Sequence, residues 1–273
     1  MARILDTIPA FEQFARKAGL EGPLMREELW KNMYQAAHKD VFEAFFASQG
    51  GRDGMHALAR ELSKVRMKVN EAVPEMPGLI EQVEPKVRAL LGVAEDPAPL
   101  HVLMVGTFST NAFVARLGDD VALFHCLEWF AGAGPTSVLI AHEDAHAWHL
   151  ISLGESPPED LAYTAFYEGL AIQASKAAVP DRPTDDYFWY GVAGFEEWMA
   201  DCEKDEKTLL KNFRQSLKRD DATEMFFGNG FIEKKWRTGY YIADLLMRRI
   251  DRPLDELVKL TIDEGREAIK DAL

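Results

Sequence analysis

Two histidines four residues apart, with a glutamate directly after the first, constrain this chain more than any other feature. They stand in IAHEDAHAWH as His142-Glu143-Asp144-Ala145-His146. At 3.6 residues per turn, a helix places residues i and i+4 on one face, where two imidazoles can converge on one point. The flanks permit that helix. Gly134-Pro135 is a sound start, because proline at the first helical position gives up an amide that has no partner there. Val138, Leu139, Ala141 and Ala145 allow the helix to be buried. H-E-x-x-H on a helix is the spacing of a zinc site, with the glutamate held back as a base. Glu143 lies about 100° around the helix from His142, so it can reach a water beside the metal without binding the metal itself.

A catalytic zinc needs a third protein ligand and one open position. His149 shares the face of His146 but lies roughly 10.5 Å along the axis from His142, too far to share a metal with it. Glu168 is better placed. Gly154 ends the first helix, and Ser156-Pro157-Pro158-Glu159 has the pattern of a capping box that opens a second, running to about Val179 before Pro180. From the turn between them, His146 lies roughly 12 Å back and Glu168 roughly 16 Å forward. Two antiparallel helices therefore bring Glu168 to the histidine pair. Gly169 costs about 1 kcal/mol inside a helix, which points to a close helix–helix approach at that level.

Elsewhere the chain divides by pattern. In Glu27–Phe46 the apolar residues Leu29, Met33, Ala37, Val41 and Phe45 recur every four positions and predict one helix, interrupted by Gly50, Gly51 and Gly54. A second helix is expected over His56–Ala72, and Pro74, Pro77 and Pro85 then break the chain. Glu95–Pro99 reads as a linker. After it, Leu100–Val105 and Val121–Phe130 read as strands, and helices return from Pro135 onward. The charge run Glu203–Lys207 reads as a solvated helix face. With 45 acidic against 31 basic residues the formal charge is −14, which repels phosphate backbones and argues against nucleic-acid partners. Two cysteines, Cys126 and Cys202, give neither a disulfide framework nor a metal knuckle. The opening MARILDTIPAFEQF does not read as a signal peptide, and no apolar run suits a membrane span. A cytoplasmic protein without a membrane partner is the expectation.

HEDAH followed by Tyr167-Glu168-Gly169-Leu170-Ala171 resembles the gluzincin metallopeptidases, in which HExxH supplies two ligands and a downstream glutamate the third. Within that clan the chain looks most like a family of predicted zinc-dependent proteases of uncharacterised function. Their C-terminal segment has an aromatic-glycine stretch and then a Thr/Val-Gly-Tyr helix start, matched here by Phe226-Phe227-Gly228 and Thr238-Gly239-Tyr240. The resemblance spans roughly residues 100 to 249, and Ala243 stands where that family usually has glycine. No GxMEN-like segment accompanies it, so exopeptidase activity has no support. The resemblance implies a strand along the substrate cleft, for which Asn111–Ala115 or Val121–Phe130 could serve. It also implies a hydroxyl or cationic donor to the oxyanion. Tyr240 matches that position, with Tyr241 and Arg237 as substitutes.

The expected fold is α+β and mostly helical: a zincin-like arrangement with a small mixed or antiparallel sheet packed on the HExxH helix. The expected division is an N-terminal helical region over 1–95 and a zincin-like metallopeptidase domain over 96–273, as two parts or as one continuous globule. The expected function is zinc-dependent hydrolysis of peptide or protein substrates, with Zn2+ on His142, His146 and Glu168 and with Glu143 as general base. The alternatives are a catalytically silent zincin-fold binding protein and a metal-free helical interaction protein.

Overall fold

Residues 2–50, 54–191 and 194–273 are described by the computed structural model. Helices dominate and a small mixed sheet accompanies them, so the class is α+β. Contacts gather the chain into two units, Met1–Gln82 with Asp96–Thr136 and Val83–Glu95 with Ser137–Leu273. This division differs from the expected boundary near residue 95, because the N-terminal segment shares a sheet with the strands that follow the linker.

In the first unit, Arg3–Asp6 forms β1, a strand where the sequence reading has only helices. Then come α1 (Ile8–Ala18), α2 (Pro23–Leu29), a π-helical turn over Trp30–Gln35, and α3 (Lys39–Gln49). The single helix expected over Glu27–Phe46 is thus two, separated by the π turn and a break at His38. The buried residues are Trp30, Tyr34, Val41, Phe42, Phe45 and Phe46, whereas Leu29 and Met33 are half-buried and Ala37 is exposed. A strict four-residue spacing drifts around a 3.6-residue helix, and the wider π turn resets which residues face the core. The expected second helix is split too, into α4 (Met55–Arg60) and α5 (Leu62–Ala72). Gly51 lies outside the described residues. Helix α6 (Met76–Leu91) runs through Pro77 and Pro85, so neither proline breaks it. Pro77 sits in its first turn, where no amide donor is needed, and the buried Val83, Val87 and Leu91 offset the hydrogen bond that Pro85 removes.

Strands β2 (Leu100–Met104), β3 (Ala112–Leu117) and β4 (Asp120–Cys126) complete the sheet, in the order β1-β2-β4-β3. β1 and β4 both run parallel to β2, with Arg3 opposite Leu100 and Leu100 opposite Ala122. β3 and β4 form an antiparallel hairpin closed by Gly118, whose φ of 61° suits the turn. The expected strand Val121–Phe130 stops at Cys126 and becomes a 3-10 turn over Leu127–Trp129. There the buried Glu128 carboxylate accepts hydrogen bonds from the amides of Gly106 (2.8 Å) and Phe108 (3.2 Å), fixing the loop after β2. Because β4 is paired on both sides, it has no edge to offer a peptide; β3 pairs with β4 alone among the described strands. On the central strands the His101 and His125 rings lie nearly parallel, 4° apart, with Nδ1 of the first 3.1 Å from Nε2 of the second.

The second unit is built on α7 (Ala133–Leu153) and α8 (Leu161–Ala178). Gly154, at φ 72°, ends α7 as expected. Helix α8 begins later than the sequence reading places it, because prolines at 157 and 158 hold the chain extended. Asp160, the next capping side chain, accepts from the Tyr163 amide at 3.0 Å. Short helices follow: α9 (Thr184–Trp189), α10 (Phe195–Lys204), α11 (Glu206–Ser216) and α12 (Ala222–Phe227). A hairpin of β5 (Phe231–Ile232) and β6 (Lys235–Trp236) leads into α13 (Thr238–Arg249), α14 (Leu254–Leu257) and α15 (Ile262–Ala272). Helix α8 packs chiefly on α13 and α15, and the crossings are close enough that glycine is required. A Cβ on Gly169 would meet Met247 Cγ at 2.3 Å and Ala243 O at 2.9 Å, and one on Gly265 would meet the Phe166 ring at 2.9 Å. No helix among the described residues is long and apolar enough to cross a membrane.

Candidate metal centre

From Ile140 to Leu150 every residue of α7 is buried except His142, which is half-buried. The polar residues of HEDAH therefore sit in a helix wrapped in apolar contacts, and the cluster meets solvent on the His142 side. His142 and His146 face the same way, with their Nε2 atoms 3.1 Å apart. Antiparallel α8 carries Glu168 to them. Its Oε2 lies 3.2 Å from His142 Nε2 and 3.6 Å from His146 Nε2. Among the described residues these are the three whose donor atoms gather as metal ligands do.

Their chemistry and spacing fit zinc. Nitrogen and oxygen ligands about 2.0–2.1 Å from a tetrahedral ion stand about 3.3–3.4 Å from one another, and the three observed separations bracket that edge. Glu168 Oε2 is buried yet has no well-formed hydrogen bond, which is costly for a carboxylate unless a cation satisfies it. Burial pushes the Glu168 carboxyl up, but the imidazoles of His146 and His142 outweigh it and hold the group well below the usual carboxylate range. It is therefore ionised at neutral pH. For Glu143, burial raises the pKa and the two histidines only partly offset it. A carboxylate made more basic in this way is suited to take up a proton.

His149 takes no part in the cluster. It is fully buried, its Nε2 lies 3.3 Å from the Tyr163 hydroxyl, and burial drives its pKa down to about 3. Sequence reasoning missed the role of Tyr167. Its ring stacks on His146 at 4.0 Å between centroids and 15° between planes, and its hydroxyl donates to the His146 carbonyl at 3.5 Å. His146 Nδ1 is buried and without a hydrogen-bond partner, so stacking supplies the orientation that an outer hydrogen bond commonly gives a ligating histidine. The place of Tyr167 as an aromatic residue directly before Glu168 is the only sequence signal for that role.

Of the three residues offered as oxyanion donors, Tyr241 points elsewhere: it is buried and its hydroxyl donates to Glu206 Oε2 at 3.0 Å. Tyr240 and Arg237 are joined. Arg237 Nη2 donates to the Tyr240 hydroxyl oxygen at 2.6 Å, while its Nε donates to the Phe227 carbonyl at 3.3 Å. Burial, with the carboxylates of Glu168 and Glu143 adding to it, raises the Tyr240 pKa, so the phenol keeps its proton. Gly239 makes this corner possible, since a Cβ there would meet the Phe227 ring at 2.7 Å and Phe226 O at 2.8 Å. That contact gives the Phe-Phe-Gly and Thr-Gly-Tyr segments a shared structural reason. Compared with known proteins, the chain matches no family model, no curated protein and no solved structure.

Proposed function

We propose that this protein is a zinc-dependent peptidase of the gluzincin kind, with a zincin-like fold and a peptide or protein substrate. One observation carries the reading: two histidines and a glutamate present donor atoms at the edge lengths of a tetrahedral zinc site, next to a buried basic carboxylate. His142, His146 and Glu168 would hold the ion. When bound, zinc supplies a Lewis acid that polarises the scissile carbonyl and makes water acidic enough to ionise near neutral pH.

The chain's own residues do the rest. Glu143 takes the proton of the attacking water and passes it to the leaving amine. Tyr167 and the buried flank of α7 keep the His146 ring from turning. Tyr240 donates a hydrogen bond to the carbonyl oxygen as negative charge builds there. The half-buried His142 side is where the substrate would enter.

The test is cleavage of a diverse peptide library by purified protein, with chelator and with zinc restored. Zinc-dependent cleavage is expected. Glu143→Gln should keep zinc and lose about 10²–10⁴-fold in rate, since the amide keeps the shape but cannot accept the proton. Cleavage that survives complete metal removal, or a Glu143→Gln variant at wild-type rate, would overturn the reading. Zinc-loaded wild type that cleaves no peptide would favour a binding module.

A further inference from the structure

We propose that Arg237 is a positioning residue for Tyr240: it occupies the acceptor side of the phenol and leaves the phenolic proton as the group's only outward offer. This rests on the peptidase reading above and extends it. The argument begins with donor counting. A guanidinium has donors and no acceptor, so the 2.6 Å contact between Arg237 Nη2 and the Tyr240 hydroxyl runs in one direction. The phenol oxygen must accept, and its own proton must point away from Arg237. A tyrosine free to rotate its hydroxyl could present either a lone pair or a proton to a substrate carbonyl. This one can present only the proton, which is the useful form for an oxyanion.

The charge adds to the direction. A cation donating into the phenol oxygen draws electron density from it and strengthens the bond the phenol donates. The guanidinium also lies over the Tyr240 ring, 4.4 Å from its centroid, and 5.4 Å from that of Trp236. Phe227 closes on the ring from another direction at 5.2 Å and 73°. The ring is thereby held between a cation and an aromatic edge.

The backbone is shaped for the same contact. Arg237 sits at the N-cap of α13 with φ 54°, a left-handed conformation uncommon for a residue with a long side chain. Glycine would hold that turn without strain, yet an arginine stands there. Its side chain folds back along the first turn of α13, where Nε reaches the Phe227 carbonyl and Nη2 reaches Tyr240, three residues on. Two donors anchored at two points fix the guanidinium more firmly than one. Lysine, with a single ammonium on a flexible stem, cannot span both.

The experiment is a double-variant cycle on zinc-loaded protein, with Tyr241→Phe as control. Arg237→Gln should lower kcat by about 10–100-fold and Tyr240→Phe by about 10–1000-fold, both with KM nearly unchanged. The double variant should be no slower than Tyr240→Phe alone, because Arg237 acts through a hydroxyl already gone. Arg237→Lys should recover little. Alongside this, tyrosine labelled with carbon-13 at Cζ reports the phenol directly in metal-free protein. The Tyr240 signal, assigned by its loss in Tyr240→Phe, should shift in Arg237→Gln while the Tyr241 signal stays. Additive losses in kcat, an Arg237→Gln variant at wild-type rate, or an unmoved Tyr240 signal would each overturn the proposal and leave the peptidase reading intact. Wild type without zinc-dependent cleavage overturns the peptidase reading, and the role of the pair in turnover falls with it.

Discussion

Replacing Gly169 with alanine adds one methyl group at the tightest crossing beside the metal cluster. The new Cβ would lie 2.3 Å from Met247 Cγ, 2.9 Å from Ala243 O and 3.2 Å from Ala243 C. Carbon atoms in contact prefer about 3.5–4.0 Å, so Met247 must retreat by about 1 Å or more. The Ala243 atoms are backbone and move only if α13 moves with them. Overpacking of this kind costs about 1–3 kcal/mol, and the backbone contact puts this site at the upper end. Alanine's better helix propensity returns about 1 kcal/mol. A net loss of about 1–2 kcal/mol is expected, which lowers Tm by about 2–4 °C for a chain of this size. The functional consequence follows from adjacency. Glu168 precedes Gly169, so parting α8 from α13 displaces a carboxylate whose spacing to the histidines already suits the ion. Zinc affinity should fall on the order of 10-fold or more. Thermal melts of metal-free protein and competition with a calibrated chelator measure the two effects separately. A Gly169→Ala protein that melts at or above the wild-type temperature and binds zinc equally well would refute the reasoning.

Three other outcomes are expected. Thr261→Ala removes the capping box at the start of α15, where Thr261 and Glu264 bond reciprocally, and should cost about 1 kcal/mol in a melt while leaving zinc affinity unchanged. His146→Ala should bring bound zinc, measured by elemental analysis, from one per chain to near none, whereas His149→Phe should retain it because His149 faces Tyr163. Burial lowers the His125 pKa from 6.5 to about 4, so the unfolded chain takes up that proton first and wild type loses stability as pH falls from 6.5 toward 4. His125→Gln lacks this term. The stability difference measured by urea unfolding should therefore move in the variant's favour by up to about 1.4 kcal/mol per pH unit, and a constant difference between pH 7 and 5 would count against it.

The three clustered residues were legible because each rests on a local rule. Helical periodicity aligns His142 with His146, and a glycine-marked turn with two helix lengths brings back Glu168. Gly169 was rightly read as a sign of close approach, but the partner is α13, nearly eighty residues on, which no local pattern names. Similarly, β1 is too short and too polar at its ends to read as a strand; it exists because β2 lies alongside to pair with it. The π turn after α2 was hidden because an extra residue in one turn shifts the phase of the stripe without altering its composition. The cap of α8 is Asp160 and not Ser156, because the capping-box pattern takes no account of what two prolines do to the backbone between them. In the site itself, Tyr240 follows from resemblance, while its tie to Arg237 depends on a left-handed residue that no sequence pattern marks.

Burial almost all round α7 and α8 has a kinetic consequence. Segments with few solvent-facing contacts open only when most of the surrounding structure opens, so their amides should be among the slowest to exchange with deuterated water. His142, His146 and Glu168 all ride on those two helices. Arg237 and Tyr240 belong instead to the first turn of α13, entered through a hairpin of two-residue strands with Glu233 and Lys234 at positive φ. Fraying of that entrance does not require α7 and α8 to separate. An ion held by His142, His146 and Glu168 would therefore leave on the slow timescale of large-scale opening, even where the entrance to α13 frays first.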